Sequence, residues 1–211
     1  MFIPGWATDC RIFDSITLPY NYLLPGEFSP TTFVQDLADT LRENRISRVS
    51  LFGYSLGGFL ACDFARKYAD CIDRLMLVGI RRCYDQPALA VIKNRVRKNK
   101  EAFLYKFYEQ CCSSRGQWLY FKNNYYTDYC RKFDHAYLNE GLDYLAAAAI
   151  DPQPLRSLKK ITIMHGECDQ VAPLQEAIDL KAALPQAQLK VVPVQGHLFF
   201  LPPGVLGDIL V

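Results

Sequence analysis

Histidine is scarce in this chain of 211 residues, which holds three, and so are tryptophan, with two, and methionine, with three. Any role that needs an imidazole must therefore fall to one of three positions, and each can be weighed by its neighbours. Long apolar runs are missing as well. The longest, such as Leu145 to Ile150, fall far short of the roughly 20 residues that cross a bilayer, and the opening Met1-Phe2-Ile3-Pro4-Gly5 has no basic and then apolar leader. A cytoplasmic protein with no membrane partner is expected. Cysteine is not scarce, but Cys10, Cys62, Cys71, Cys83, Cys111, Cys112, Cys130 and Cys168 lack metal-ligand spacing, and the chain is too large to need disulfide staples. Reduced thiols, no metal and no cofactor are the plain expectation. Internal repeats, low-complexity tracts and separable linkers are likewise missing.

What is there suits one globular core: 50% of the residues are hydrophobic and 22% charged. Short β-branched or apolar runs alternate with longer amphipathic stretches, the pattern of a mostly parallel α/β sheet covered by helices on both faces. About six strands are predicted, at Phe2-Ile3, Tyr20 to Leu24, Val49 to Gly53, Leu75 to Val78, Ile161 to Met164 and Leu189 to Val194. Helices are predicted at Thr32 to Glu43, Leu56 to Tyr68, Leu174 to Leu184 and Val205 to Leu210. The hydroxyls of Ser29-Pro30-Thr31-Thr32 can cap the first of them. Between the fourth and fifth of the βα-type strands, residues 85–154 show helical spacing and many aromatics but no strand pattern. This stretch reads as a cap inserted into a core made of residues 1–84 and 155–211. Its first helix is traced through Leu89, Ile92, Val96, Phe103 and Phe107, with Lys93, Arg97 and Lys100 on another face.

Charge is unevenly spread. Arg81 to Lys132 holds twelve Lys or Arg against four acids, a surplus of +8 in a chain of net charge +2, so the remainder carries −6. A basic segment sits in an acidic scaffold.

Gly53-Tyr54-Ser55-Leu56-Gly57 is a Gly-x-Ser-x-Gly pentapeptide set between a predicted strand and a predicted helix. That context places Ser55 on a sharp turn with its hydroxyl above the sheet, flanked by residues that must be small. The structural alternative is a tight turn with an ordinary serine. A serine hydroxyl attacks poorly near neutral pH unless a base is within reach and a carboxylate orients the base. His135 lies among Phe133, Asp134 and Tyr137 and suits cap packing or the surface. His165 ends a predicted strand and suits a structural role. His197 follows the last predicted strand, where the base would fall. Asp169, in the loop after the preceding strand, is the candidate carboxylate, with Glu167 as its rival. The order Ser55, Asp169, His197 is that of α/β-hydrolases. The backbone N–H groups of Leu56 and of Trp6, in the turn Pro4-Gly5-Trp6-Ala7, are candidate oxyanion donors; a Pro-Gly turn with a buried tryptophan is the alternative for the second.

With these segments the sequence resembles the α/β-hydrolases, and within them the pimeloyl-acyl-carrier-protein methyl ester esterases of biotin synthesis. Carrying the resemblance are Pro4-Gly5-Trp6-Ala7, Gly53-Tyr54-Ser55-Leu56-Gly57-Gly58, the His165-Gly166-x-x-Asp169 loop and Gly196-His197 followed by Phe199-Phe200. Many members have His where Pro4 stands and further residues ahead of that loop. The resemblance implies an α/β-hydrolase fold and a serine carboxylesterase that cleaves a methyl ester through an acyl-enzyme, without a cofactor. Its carrier partner is acidic, and Arg81, Arg82, Lys93, Arg95, Arg97, Lys98 and Lys100 can steer such a protein onto the cap; a solvated helix face is the alternative for these residues. Small carboxylic esters or thioesters are the rival substrates, and a catalytically silent hydrolase fold that binds an acyl ligand or a partner is the rival of another class. Nucleic acid is not expected, as no binding module accompanies the basic segment.

Overall fold

In the computed structural model, which describes residues 1–14, 16, 19 and 21–201, the short apolar runs form one parallel sheet. Its strands, β1 (Phe2–Ile3), β2 (Val49–Tyr54), β3 (Ile72–Val78), β4 (Ile161–Gly166) and β5 (Gln188–Val192), lie side by side in sequence order. Leu51, Phe52, Leu75, Leu77, Val78, Ile161, Ile163 and Met164 are all buried, as central parallel strands covered on both faces require. β5, on the edge, is largely exposed and accordingly more polar.

The helices are α1 (Phe33–Glu43), α2 (Leu56–Lys67), α3 (Gln86–Lys98), α4 (Lys100–Cys111), α5 (Arg115–Phe121), α6 (Thr127–Lys132), α7 (His135–Ala147), α8 (Pro152–Leu155) and α9 (Leu174–Ala183). A π-helical segment, Lys122–Tyr126, joins α5 to α6. α3 to α8 all lie between β3 and β4, where the cap was expected. Local chemistry starts most of them: Asp85, Asn99, Ser114, Asp134 and Asp151 each accept a first-turn amide of the helix they precede. A β-bridge between Cys83 and Ala149 and the bond from Ile150 N–H to Arg82 O (2.8 Å) clip the two ends of the insertion together.

Four expectations need correction or limits. Residues 21–24 belong to no strand and share one backbone bond with β1, Phe2 N–H to Leu23 O at 3.0 Å, while Tyr20 lies outside the described residues; among the described residues the sheet has five strands where about six were expected. Thr32 precedes α1 without capping it: its backbone is already near helical (φ −102°, ψ −14°) and not in the extended geometry of a capping residue, and its hydroxyl donates to Asp36 (2.7 Å). The first cap helix is two helices: Asn99 leaves helical geometry (φ −159°, ψ 93°) and caps α4, so Lys100 starts a new axis and does not continue the face of Lys93 and Arg97. The helix expected at Val205 to Leu210 lies outside the described residues.

Candidate active site

β2 ends at Tyr54 and α2 starts at Leu56, so Ser55 alone makes the turn, at φ 52° and ψ −115°. A positive φ strains a residue with a side chain, and only surroundings that fix the turn can hold it. Those surroundings are visible. A Cβ on Gly57 would sit 2.2 Å from the Ile3 carbonyl oxygen, and one on Gly53 would sit 2.5 Å from that of Gly57, so both positions admit glycine only. Ser55 N–H donates to Val78 O (2.8 Å) and Gly58 N–H to Ser55 O (2.9 Å), pinning the turn to the neighbouring strand and to α2. The serine therefore stands at the C-terminal edge of the sheet and at the positive end of α2.

Two loops at the same edge bring up the other groups. After β4, Asp169 Oδ1 accepts the amides of Val171 and Ala172, each at 2.8 Å, which fixes the carboxylate; its Oδ2 accepts from His197 Nδ1 at 2.6 Å. A carboxylate can only accept, so the His197 proton is on Nδ1 and Nε2 is left as a base. That Nε2 is buried without a hydrogen-bond partner among the described residues. Burial by itself would raise the Asp169 carboxyl, but His197 and the amide of Ala172 outweigh it and hold the group below its ordinary value. Glu167, the rival, is exposed and accepts the Val194 amide at 2.9 Å. His165 is fully buried beside the pair: its Nε2 donates to Ala172 O at 2.7 Å and lies 3.6 Å from Asp169 Oδ2. Burial lowers its pKa, so it stays neutral there. His135 is exposed at the start of α7. Gly79, at φ 57°, faces the His197 ring; a Cβ would stand 2.9 Å from Nδ1.

The turn after β1 meets the serine directly, since a Cβ on Gly5 would lie 3.1 Å from Ser55 Cβ. Trp6 is buried with its indole N–H donating to Leu138 O in the cap (2.9 Å), and its ring contacts Phe107 and Phe103 at centroid distances of 5.1 and 6.2 Å. Leu56 supplies the first amide of α2, one of those left free at a helix start. A cavity of about 270 Å³ opens over Ser55, walled by Trp6 and by cap residues including Leu89, Ile92, Phe103, Phe107 and Leu142. Its apolar walls suit an acyl chain, and Ser55, Arg81, Tyr84, Asp85, Arg95, Gln110 and Gln170 are its polar lining residues.

Sequence reasoning missed two residues here. Tyr84 lines the cavity together with Ser55, its ring under the Arg81 guanidinium at 4.6 Å. Gln117, buried in α5, donates to Leu198 O (2.6 Å) and to Leu201 O, and accepts from Ser113 N–H (2.8 Å), tying the segment that follows His197 to the cap. An uncharged amide on a cap helix gives no sequence signal for this task. The only hint for Tyr84 is its place next to the helix-capping Asp85.

The basic residues do not form one free face. Arg81 stands 3.7 Å from Glu176 and 4.6 Å over the Tyr84 ring, Lys93 pairs with Asp143, and Lys100 donates to Phe133 O at 3.0 Å. Arg97 donates to Asn94 (3.2 Å), Arg95 reaches the cavity, and Arg82 and Lys98 are exposed. Lys132, also in the basic stretch, binds Asp9 at 2.8 Å.

Residues 2–208 match the model of a family described as the Alpha/beta hydrolase family. The fold is similar to that of the esterase EaEST from Exiguobacterium antarcticum, with a TM-score of 0.77 and 17% identity over 95% of this chain and 85% of that one. It is also similar to MGS-M2, an alpha/beta hydrolase enzyme from a Medee basin deep-sea metagenome library, with a TM-score of 0.74 and 16% identity over 95% of this chain and 82% of the other. Among curated proteins, a proline iminopeptidase of Xanthomonas citri is 37% identical over 82 residues, which are 36% of this chain. The match spans only 25% of that relative's own length. Among the described residues, no helix is long and apolar enough to cross a membrane.

Proposed function

The chain belongs to the alpha/beta hydrolase family, and from that premise we propose that it is a serine hydrolase that cleaves carboxylic esters through an acyl-enzyme on Ser55. The observation that carries this reading is the buried bond of 2.6 Å between His197 Nδ1 and Asp169, made by loops at the same sheet edge as a serine held at positive φ. In this mechanism His197 Nε2 takes the Ser55 proton as Oγ attacks the ester carbonyl. The amides of Leu56 and Trp6 hold the oxyanion, and Asp169 stabilises the imidazolium that forms. The alcohol leaves with the proton from His197, and a water activated by the same imidazole releases the acid.

For the substrate, the resemblance to pimeloyl-acyl-carrier-protein methyl ester esterases favours an acyl methyl ester on an acidic carrier, with the apolar cavity taking the acyl chain. A second reading, small free esters or thioesters, is favoured by the internal contacts of Arg81, Lys93 and Lys100, which remove them from a docking face. The proline iminopeptidase relatives add an N-terminal prolyl peptide to the substrates worth assaying. The test is hydrolysis of a panel of methyl and p-nitrophenyl esters, free and carrier-bound. Wild-type protein is expected to turn over at least one class, with a loss of about 10³-fold or more in Ser55→Ala. Folded wild-type protein inert to every ester, or undiminished turnover by Ser55→Ala, would contradict the proposal.

A further inference from the structure

Two buried imidazoles, His165 and His197, stand at the Asp169 carboxylate, and the mechanism uses only the second. His165 lies in β4, one residue before the strand ends, and its Nε2 meets the carbonyl oxygen of Ala172 at 2.7 Å. A carbonyl can only accept, so the His165 proton is on Nε2. Ala172 also supplies one of the two amides that fix Asp169, at 2.8 Å to Oδ1. Its N–H thus faces the carboxylate while its carbonyl faces His165. The residue that follows is Pro173, which has no N–H, so the peptide leaving this turn offers a carbonyl as its one hydrogen-bonding handle. His165 holds that handle.

The same ring leaves the reacting proton to His197. Its Nε2 lies 3.6 Å from Asp169 Oδ2, too far for a hydrogen bond, and Oδ2 is taken by His197 Nδ1 at 2.6 Å. His165 Nδ1 is buried without a hydrogen-bond partner among the described residues, so a second proton on the ring would be a buried charge whose new N–H has no acceptor. Gly166, the next residue, seats the base: a Cβ there would stand 2.2 Å from Gly196 O, so the loop that carries His197 lies directly against the end of β4. His165 and Gly166 thereby tie both partners of the 2.6 Å bond to one strand end.

Resting on the reading of Ser55, Asp169 and His197 as the catalytic groups, we propose that His165 is a positioning residue, which holds the Ala172 carbonyl and through it aims Asp169 at His197. Without the Nε2 donor the turn relaxes, the Ala172 amide drifts from Oδ1, and Oδ2 moves off the His197 ring. A shift of about 1 Å in such a group can cost about 10²-fold in rate. The imidazolium that Asp169 stabilises forms only after substrate is bound, so the loss falls on kcat and spares KM.

The test compares kcat and KM on a p-nitrophenyl ester for wild type, His165→Phe and His165→Gln. Titration with a p-nitrophenyl phosphonate counts the intact serines, so that kcat is expressed per intact site. Phenylalanine keeps a ring without a donor; glutamine carries an amide N–H about as far out as Nε2. His165→Phe is expected to lose about tenfold or more in kcat per site with KM within about twofold of wild type, and His165→Gln to recover most of the loss. If His165→Phe does not fold, His165→Asn, whose shorter amide stops short of the Ala172 carbonyl, takes its place and is read in the same way. An unchanged kcat per site, a loss that His165→Gln does not reverse, or a loss carried by KM marks a residue that serves the fold alone and overturns the proposal. Wild-type protein inert to the ester, or Asp169→Asn as active as wild type, instead brings down the reading of the three catalytic groups.

Discussion

Asp169 shows how a single residue links stability to mechanism. Three neighbours point hydrogens at its carboxylate, the amides of Val171 and Ala172 and the His197 ring, and the group is held below its ordinary pKa of 3.8. Such a carboxylate contributes stability that is complete above the unfolded value and is lost as pH falls through the folded one. Asp169→Asn is therefore expected to be less stable than wild type at neutral pH, with the gap narrowing as pH falls below 3.8; urea unfolding at a series of pH values measures it. The same variant can donate to Nδ1, which favours the wrong tautomer, so kcat is expected to fall by about 10³-fold or more with an unchanged fold. A gap that widens in acid, or a variant as active as wild type, contradicts this account. That Ser55, Asp169 and His197 lie in turns and loops at one edge of the sheet was legible in the sequence because each sits in a short segment whose neighbours state its place: glycines around the serine, a strand end before the aspartate, a final strand before the histidine. Between Asp169 and Glu167 the sequence left a rival, and the turn decided it, since only Asp169 folds back onto its own following amides. Tyr84 and Gln117 were invisible for the opposite reason, as the cavity wall of the one and the bonds of the other to Leu198 and Leu201 exist only once distant segments meet.

At the scale of elements, the inserted helices both wall the cavity and brace the segment after His197. The amide of Gln117 holds the carbonyls of Leu198 and Leu201, while Cys111 O accepts from Leu198 N–H at 3.0 Å. α4 and α5 thus fix the chain immediately after His197. Gln117→Leu keeps the volume but leaves buried carbonyls without a donor, which costs about 1–3 kcal/mol. The expected outcome is a lower urea midpoint together with a lower kcat; a fall in stability with kcat unchanged would show that the brace does not position His197. The break between α3 and α4 was hidden in the sequence, because apolar residues keep nearly helical spacing across it. The signal was Asn99, a strong capping residue that also accepts the Ala102 amide at 2.9 Å. The strand expected at Tyr20 to Leu24 differs for another reason in its described part, residues 21–24: Tyr22 and Leu24 are exposed, and the ties to β1, the Phe2 N–H to Leu23 O bond and the Phe2–Tyr22 ring contact at 5.5 Å, are ones a loop makes as well as a strand does.

Across the whole molecule, the basic surplus of Arg81 to Lys132 changes meaning once the chain is folded. Lys132 finds Asp9, Lys93 finds Asp143 and Arg81 finds Glu176, all acids outside that window. Part of the asymmetry read from the sequence is thus internal complementarity, and at the one cap-to-core pair among these three Tyr129 joins Lys132 by donating to Asp9 at 3.1 Å. Arg82, Arg97 and Lys98 remain exposed for a partner. If an acidic carrier docks here, reversing these three to Glu lowers kcat/KM for a carrier-bound ester, and added salt lowers it in wild type, with free esters unaffected in both cases. Equal rates at low and high salt favour small free esters instead. All substrate readings share Ser55, and one measurement reaches it most directly: mass spectrometry of peptides after exposure to a p-nitrophenyl phosphonate. A phosphonyl group on Ser55 in the wild type and none in Ser55→Ala is the result predicted. A folded wild-type protein left unlabelled, or equal labelling of Ser55→Ala, would contradict it.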